Sequence, residues 1–177
     1  MKHSREFNIA FVGLKPGNHE FHYTVDDKFF ERYGTQEFHN AEVDINLNLD
    51  KKTGLFLLHF DISGQVTIPC DRCGDPFSLK LWDEFDLVVK IIDDELVSLK
   101  SDEDAEVAYI GRSESLLDVA DWIYEFVRLS VPMQHIHPDD EQGKSTCNQD
   151  ALRYLENKTE EQTNNPLWNA LHRNKNN

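Results

Sequence analysis

The most constraining feature of this chain is a strict alternation of apolar and polar side chains between residues 43 and 91. Val43, Ile45, Leu47 and Leu49 occupy every second position, so an extended segment there buries one face. Asp50-Lys51-Lys52-Thr53-Gly54 is a turn signal. Phe56, Leu58, Phe60 and Ile62 alternate on the way back, and Ser63-Gly64 reads as the next turn before Val66, Ile68 and Cys70. The pattern resumes at Phe77, Leu79 and Leu81, and again at Phe85, Leu87, Val89 and Ile91. Short alternating runs at this spacing predict a meander of antiparallel strands, either an antiparallel sheet or a partly open barrel.

Other segments frame that meander. Residues 5–12 and 19–25 are extended candidates joined by Lys15-Pro16-Gly17-Asn18. Residues 25–33 suit one or two helical turns after an Asp cap, closed by Gly34. Residues 93–106 are acidic and read as a solvated loop, with a short strand at 106–110. Leu116, Ala120, Ile123 and Val127 then recur at helical spacing, which predicts one long helix over 114–130 packed on the sheet and ended by Pro132. The fold class is therefore α+β. It is a mostly antiparallel β meander with one long packed helix and a short C-terminal helical segment. One β-rich domain is expected over 1–156. A linker and an apolar segment, Pro166-Leu167-Trp168-Asn169-Ala170-Leu171, make up 157–177. That segment either docks on its own domain or serves as a linear motif for a partner.

Composition narrows the function. The 177 residues carry 18 Lys and Arg against 33 Asp and Glu, a net charge of −15. A protein that coats duplex DNA through bulk charge is excluded, because phosphate binding relies on clustered Lys and Arg. A local basic contact, for instance Arg72 with Arg128, Lys144 and Arg173, and a protein partner both stay open. Charged residues interrupt every apolar stretch, so no membrane span is expected, and no apolar h-region follows the N-terminus, so no signal peptide is expected. Three cysteines do not fit a secreted disulfide framework. A cytoplasmic location follows as the expectation. Gly-rich phosphate loops, a His-Glu-x-x-His helix and a Gly-x-Ser-x-Gly elbow are absent from the sequence, and no enzymatic activity is expected.

The most specific motif is Pro69-Cys70-Asp71-Arg72-Cys73-Gly74. Two thiolates two residues apart can chelate one tetrahedral metal from a tight turn, and a structural zinc needs two more ligands. His135, His137 and Cys147 lie downstream, so Cys70, Cys73, His137 and Cys147 would form a closed Cys₃His site. Two other readings stay open. The same spacing serves a redox dithiol, although that motif normally opens a helix and here a strand pattern follows. The cysteines could equally be plain residues of a strand-turn-strand element.

Ile68-Pro69-Cys70-Asp71-Arg72-Cys73-Gly74-Asp75-Pro76-Phe77 resembles the Cys-x-Arg-Cys-Gly-x-Pro-Phe segment of the bacterial YceD family. The apolar-periodic helix, the loop Val131-Pro132-Met133-Gln134-His135-Ile136-His137, then Cys147, and the ending Asn165-Pro166-Leu167-Trp168-Asn169-Ala170-Leu171 follow in that family's order. The resemblance spans about residues 60 to 173. It implies a factor for large-subunit ribosomal RNA accumulation, contacting a large-subunit precursor, a ribosomal or RNA-processing protein, or rRNA. Arg72, Pro166, Leu167, Trp168 and Leu171 are the expected partner-contacting residues. The alternatives are a zinc- or thiol-dependent enzyme and an interaction adaptor unrelated to ribosomes.

Overall fold

The structure is a computed structural model and describes residues 5–100 and 107–155. These fall into two compact units, one of Met1–Thr67 with Ser78–Met133 and one of Ile68–Phe77 with Gln134–Asn177. The expected C-terminal helical segment and the linker before it lie outside the described residues.

In the first unit the chain opens with a two-residue strand, β1 (Asn8–Ile9), flanked by 3-10 turns, instead of a full strand over 5–12. β2 (Gly17–Asp26) leads into α1 (Asp27–Phe30). The Asp26 carboxylate accepts from the backbone N–H groups of Lys28 and Phe29, so this short helix has the expected Asp cap. β3 (His39–Lys52), β4 (Leu55–Pro69) and β5 (Pro76–Ile92) form the long meander. α2 (Asp94–Lys100) occupies the first part of the stretch expected as a loop, and β6 (Val107–Gly111) follows. The sheet order is β2-β3-β4-β5-β6, open, with β2 and β6 at its edges. β2 and β3 run antiparallel, as do β3 and β4, whereas β6 lies parallel to β5. The result is the mainly antiparallel, unclosed α+β fold that the alternation predicts.

Ser63-Gly64 is not a turn, because β4 runs straight through it. Val43 faces Gly64 across the pair, and the register shifts between His39 and Glu42. A Cβ on Gly64 would overlap the Glu42 carbonyl oxygen and lie 2.7 Å from the Val43 Cα, at a φ of +154°. Glycine is there for a close approach between backbones at an irregular pairing, not for a reversal.

The second difference concerns the helix. Leu117–Asp118 forms β7, paired with β1, and the Val119 N–H donates to the Phe7 carbonyl. With that backbone engaged, α3 runs only over Ala120–Leu129, ten residues instead of 114–130. The Asp118 carboxylate accepts from the Ala120 N–H at its start. At its end the Ser130 hydroxyl donates to the Phe126 carbonyl. Leu116 and Leu117 extended the helical stripe in sequence, but periodicity cannot register a pairing with a strand more than a hundred residues away.

The inner sheet face is the core. Val43, Ile45, Leu47, Leu49, Phe56, Leu58, Phe60 and Ile62 are all buried. Ile123 and Val127 of α3 are fully enclosed. Phe126 meets Phe60 edge-on at 5.0 Å and stacks on Phe85 at 4.5 Å. Each such side chain contributes about 1.5–3 kcal/mol of transfer free energy. Among the described residues no helix is long and apolar enough to cross a membrane.

Candidate metal centre

The second unit begins at the turn between β4 and β5. The Gly74 N–H donates to the Cys70 carbonyl and the Cys70 N–H to the Asp75 carbonyl, which closes a tight loop around the two cysteines. Gly74 sits at φ +80°, in the left-handed region that glycine adopts without strain. The Arg72 N–H points at the Cys70 Sγ at 3.4 Å. This arrangement requires the Cys-x-x-Cys-Gly spacing: two sulfurs on one side, a backbone donor aimed at the first, and a glycine to turn the chain away.

The loop of residues 134–147 is held against this knuckle by a reciprocal pair of bonds. The Asp71 N–H donates to the His135 carbonyl, and the His135 N–H donates to the Asp71 carboxylate at 2.8 Å. The His135 Nδ1 lies 2.9 Å from the Pro69 carbonyl. His135 is thus a positioning residue and stands apart from the cysteine cluster. Further on, the Asp140 carboxylate accepts from the N–H groups of Gln142 and Lys144, and Thr146 Oγ1 donates to the Pro138 carbonyl. These bonds fold residues 138–146 into a small hairpin-like turn that returns Cys147 to His137. The Asn148 side chain donates to Asp75, and its carbonyl oxygen caps the helical residues 149–155.

The consequence is a compact donor set. The ligand atoms of Cys70, Cys73, His137 and Cys147 all lie within 4.8 Å of one another. Cys70 Sγ and Cys147 Sγ are 3.8 Å apart, Cys73 Sγ and His137 Nδ1 3.5 Å, and Cys147 Sγ and His137 Nδ1 3.9 Å. A tetrahedral zinc with Zn–S bonds of about 2.3 Å and Zn–N bonds of about 2.0–2.1 Å has S···S edges of about 3.8 Å and S···N edges of about 3.6 Å. The Cys70–Cys147 and Cys73–His137 separations match those edges, the Cys147–His137 separation is slightly longer, and the cysteines form no disulfide. The four side chains can hold a metal, and their soft sulfur-rich chemistry is of the kind that takes zinc.

The electrostatics of the pair are uneven. Burial works against ionising Cys70, but backbone N–H groups of His137, Cys73 and Arg72, joined by the His137 ring, outweigh it and lower the pKa of its thiol. At Cys147 the Ser145 hydroxyl favours the thiolate, but burial and the neighbouring sulfurs of Cys70 and Cys73 prevail and raise the pKa. Negative charge therefore collects first on Cys70, and a bound cation would also favour the thiolate of Cys147. The His137 ring packs on Phe77 at 4.7 Å, which fixes its orientation.

The family model described as large ribosomal RNA subunit accumulation protein YceD matches residues 58–173, more than half of the chain. The chain belongs to the YceD family. The match begins inside β4 and takes in the knuckle, α3 and the His137–Cys147 loop. A search of curated proteins finds no match, and neither does a search of solved structures.

The remaining candidate residues fare differently. Arg72 is exposed on the knuckle, and its guanidinium reaches the Ser145 hydroxyl at 3.3 Å. Pro166, Leu167, Trp168 and Leu171 lie outside the described residues, as does Arg173. Arg128 belongs to α3, where it donates to the Tyr124 hydroxyl. Sequence reasoning did not single out Asp71, Asp75 or Phe77 as supports of the cluster. An Asp within a Cys-x-x-Cys turn was visible, but its partner 64 residues away was not.

Proposed function

We propose that this YceD-family protein is a non-enzymatic factor that supports accumulation of large-subunit ribosomal RNA, acting in the cytoplasm through contact with a ribosomal, RNA-processing or rRNA partner. Its second unit is a zinc-clipped platform. Membership of the family carries the rRNA role.

The donor set supports a structural part for the metal. Three thiolates and one imidazole fill a tetrahedral shell and leave no position for a substrate. Cys70 and Cys147 are each only 3% exposed, which keeps reactants from the sulfurs. What zinc supplies when bound is rigidity. The chain's own contribution is the Asp71–His135 bond pair, the Asp140 turn and the Phe77 contact, which bring four distant ligands to one point. Ordering the irregular 134–147 loop in advance lowers the entropy lost when a partner docks on it. Exposed Arg72 and the C-terminal Pro166, Leu167, Trp168 and Leu171 are the proposed partner-contacting residues.

The test is genetic and physical together. Cells lacking the gene should show a lower ratio of large- to small-subunit rRNA, restored by the full chain. Cys70→Ser and His137→Ala, expressed to the same level, should fail to restore it. An unchanged ratio in the deletion would sink the rRNA reading. Full rescue by both variants would sink the role of the metal cluster.

A further inference from the structure

The inner face of the five-stranded sheet is sealed by aromatic packing, whereas its outer face carries polar side chains in solvent. Even-numbered residues of β2, β3 and β5 and odd-numbered residues of β4 point there. Register aligns them in rows across the strands: Glu20, Asn48 and His59 in one, His22, Asn46 and Asp61 in the next, Thr24, Asp44 and Ser63 in a third. The carboxylates of Glu20, Glu42, Asp44, Asp61, Glu84 and Asp86 are all on this face in exposed residues. Lys80 and Lys90 on β5 are its principal cations, since Lys52 at one end is paired with Asp50 at 2.6 Å.

Adjacent strands lie about 4.8 Å apart, well inside the screening length of about 8 Å at physiological salt. The potentials of these carboxylates therefore add instead of acting singly. The local neutralisation is partial. His59 sits between Asp86, 2.7 Å from its Nδ1, and Asp61, 3.5 Å from its Nε2, and Thr24 donates to Asp44. His22 Nε2 lies 3.7 Å from Asp44, and these two imidazoles do not offset the six carboxylates of the face.

A second observation sets this face apart from an ordinary solvated one. Trp82 projects from β5 onto it and is 77% exposed. It falls between Lys80 and Glu84 along the strand. An indole this exposed adds nothing to the core, and Trp gives the best ring face for a cation, Arg above all. Acid rows with a bare indole among them complement an extended segment rich in Arg and Lys, and they repel a phosphate backbone.

We propose that the outer face of the β2–β5 sheet docks a Lys- and Arg-rich protein segment, with Trp82 receiving a guanidinium and Asp61 and Glu84 pairing with its neighbours. This deepens the proposed function by naming the partner class, and it rests on that reading only for the partner's role in rRNA accumulation.

The experiment is fluorescence anisotropy with the full chain and three labelled probes: an Arg-containing basic dodecapeptide, its all-Lys counterpart and a single-stranded rRNA oligonucleotide. The Arg peptide should bind in a salt-dependent way. Asp61→Asn/Glu84→Gln should weaken it at least tenfold, and Trp82→Ala should weaken the Arg peptide more than the all-Lys one. Glu31→Gln/Glu114→Gln removes the same charge from exposed residues outside these strands and should leave binding within twofold. Circular dichroism melts report folding of every variant. Equal losses for the two double variants would reduce the effect to bulk charge and overturn the proposal. Tighter binding of the oligonucleotide would overturn it in favour of RNA. The rRNA ratio in the deletion strain is read separately. Its failure would remove the ribosomal context, while failed peptide binding would remove the docking face.

Discussion

The Cys70 and Cys147 sulfurs lie 3.8 Å apart across a sequence separation of 77 residues. That distance is far too long for a disulfide of about 2.05 Å and equals the S···S edge of about 3.8 Å that a tetrahedral zinc imposes. The Cys70 thiol has its pKa lowered and the Cys147 thiol has its pKa raised, and a cation shared between them would hold both as thiolates.

Metal content and stability should therefore fall together when a ligand is removed. Wild-type protein purified under reducing conditions should carry one zinc per chain, and Cys70→Ser well under one. Because binding energy at such a site is folding energy, a loss of about 3 kcal/mol is expected, or about 6–12 °C in Tm for a chain of this size. Elemental analysis and differential scanning calorimetry check this. Metal-free wild type and an unchanged melting curve in the variant would eliminate the zinc site.

Gly64 gives a prediction about the sheet alone. Gly64→Ala places a Cβ against the Glu42 carbonyl and the Val43 backbone at a φ that favours glycine. A backbone clash and a strained φ together should cost about 2–4 kcal/mol, read as a lower midpoint in urea unfolding with the slope preserved. Wild-type stability would show that the strands can separate there at no cost.

The ten-residue α3 is a second check on packing. Ile123→Ala should destabilise by about 2–5 kcal/mol, since Ile123 is fully enclosed and its removal leaves a cavity. Leu129→Ala, at a site 65% exposed, should change stability by about 0.5 kcal/mol or less. Equal losses for the two substitutions would show that Leu129 is packed as tightly as Ile123.

His59 should titrate above its ordinary value. The hydrogen bond to Asp86 raises its pKa, burial opposes this, and the charges of Asp86, Asp61 and Glu84 add to the rise. A raised folded pKa means that the pair's contribution to stability is present in full below the unfolded value of about 6.5. It is lost as pH rises through the folded pKa. Imidazole resonances followed by NMR should show a high pKa in wild type and a fall towards the ordinary value in Asp86→Asn. The same midpoint in both would dismiss the pair.

Much of the sheet was legible because alternation is a local signal with one physical meaning. From Val43 to Ile91, each buried side chain in β3, β4 and β5 obeys the two-residue period. The same local reading erred at Gly64, where a glycine marks a close approach, and at Leu117, which serves strand β7 and not a helix. Both errors share a cause: the partner that decides the conformation, Val43 in one case and β1 in the other, is distant along the chain.

For the site, the sequence supplied the candidate donors, because Cys-x-x-Cys-Gly, a downstream His and a third Cys are the residue types a tetrahedral zinc site uses, while a redox dithiol and plain strand-turn-strand cysteines stayed open. It also determined the acid excess, which charge counting reads directly. Only the tertiary structure brought the four donor atoms within 4.8 Å of one another and gave His135 its place on the Pro69 carbonyl and Asp71. Only it decided that the carboxylates of four strands share one face with Trp82. Chelation geometry and surface potential both depend on distances between residues that sequence order leaves free, and the chain fixes those distances only when its core and hydrogen bonds close.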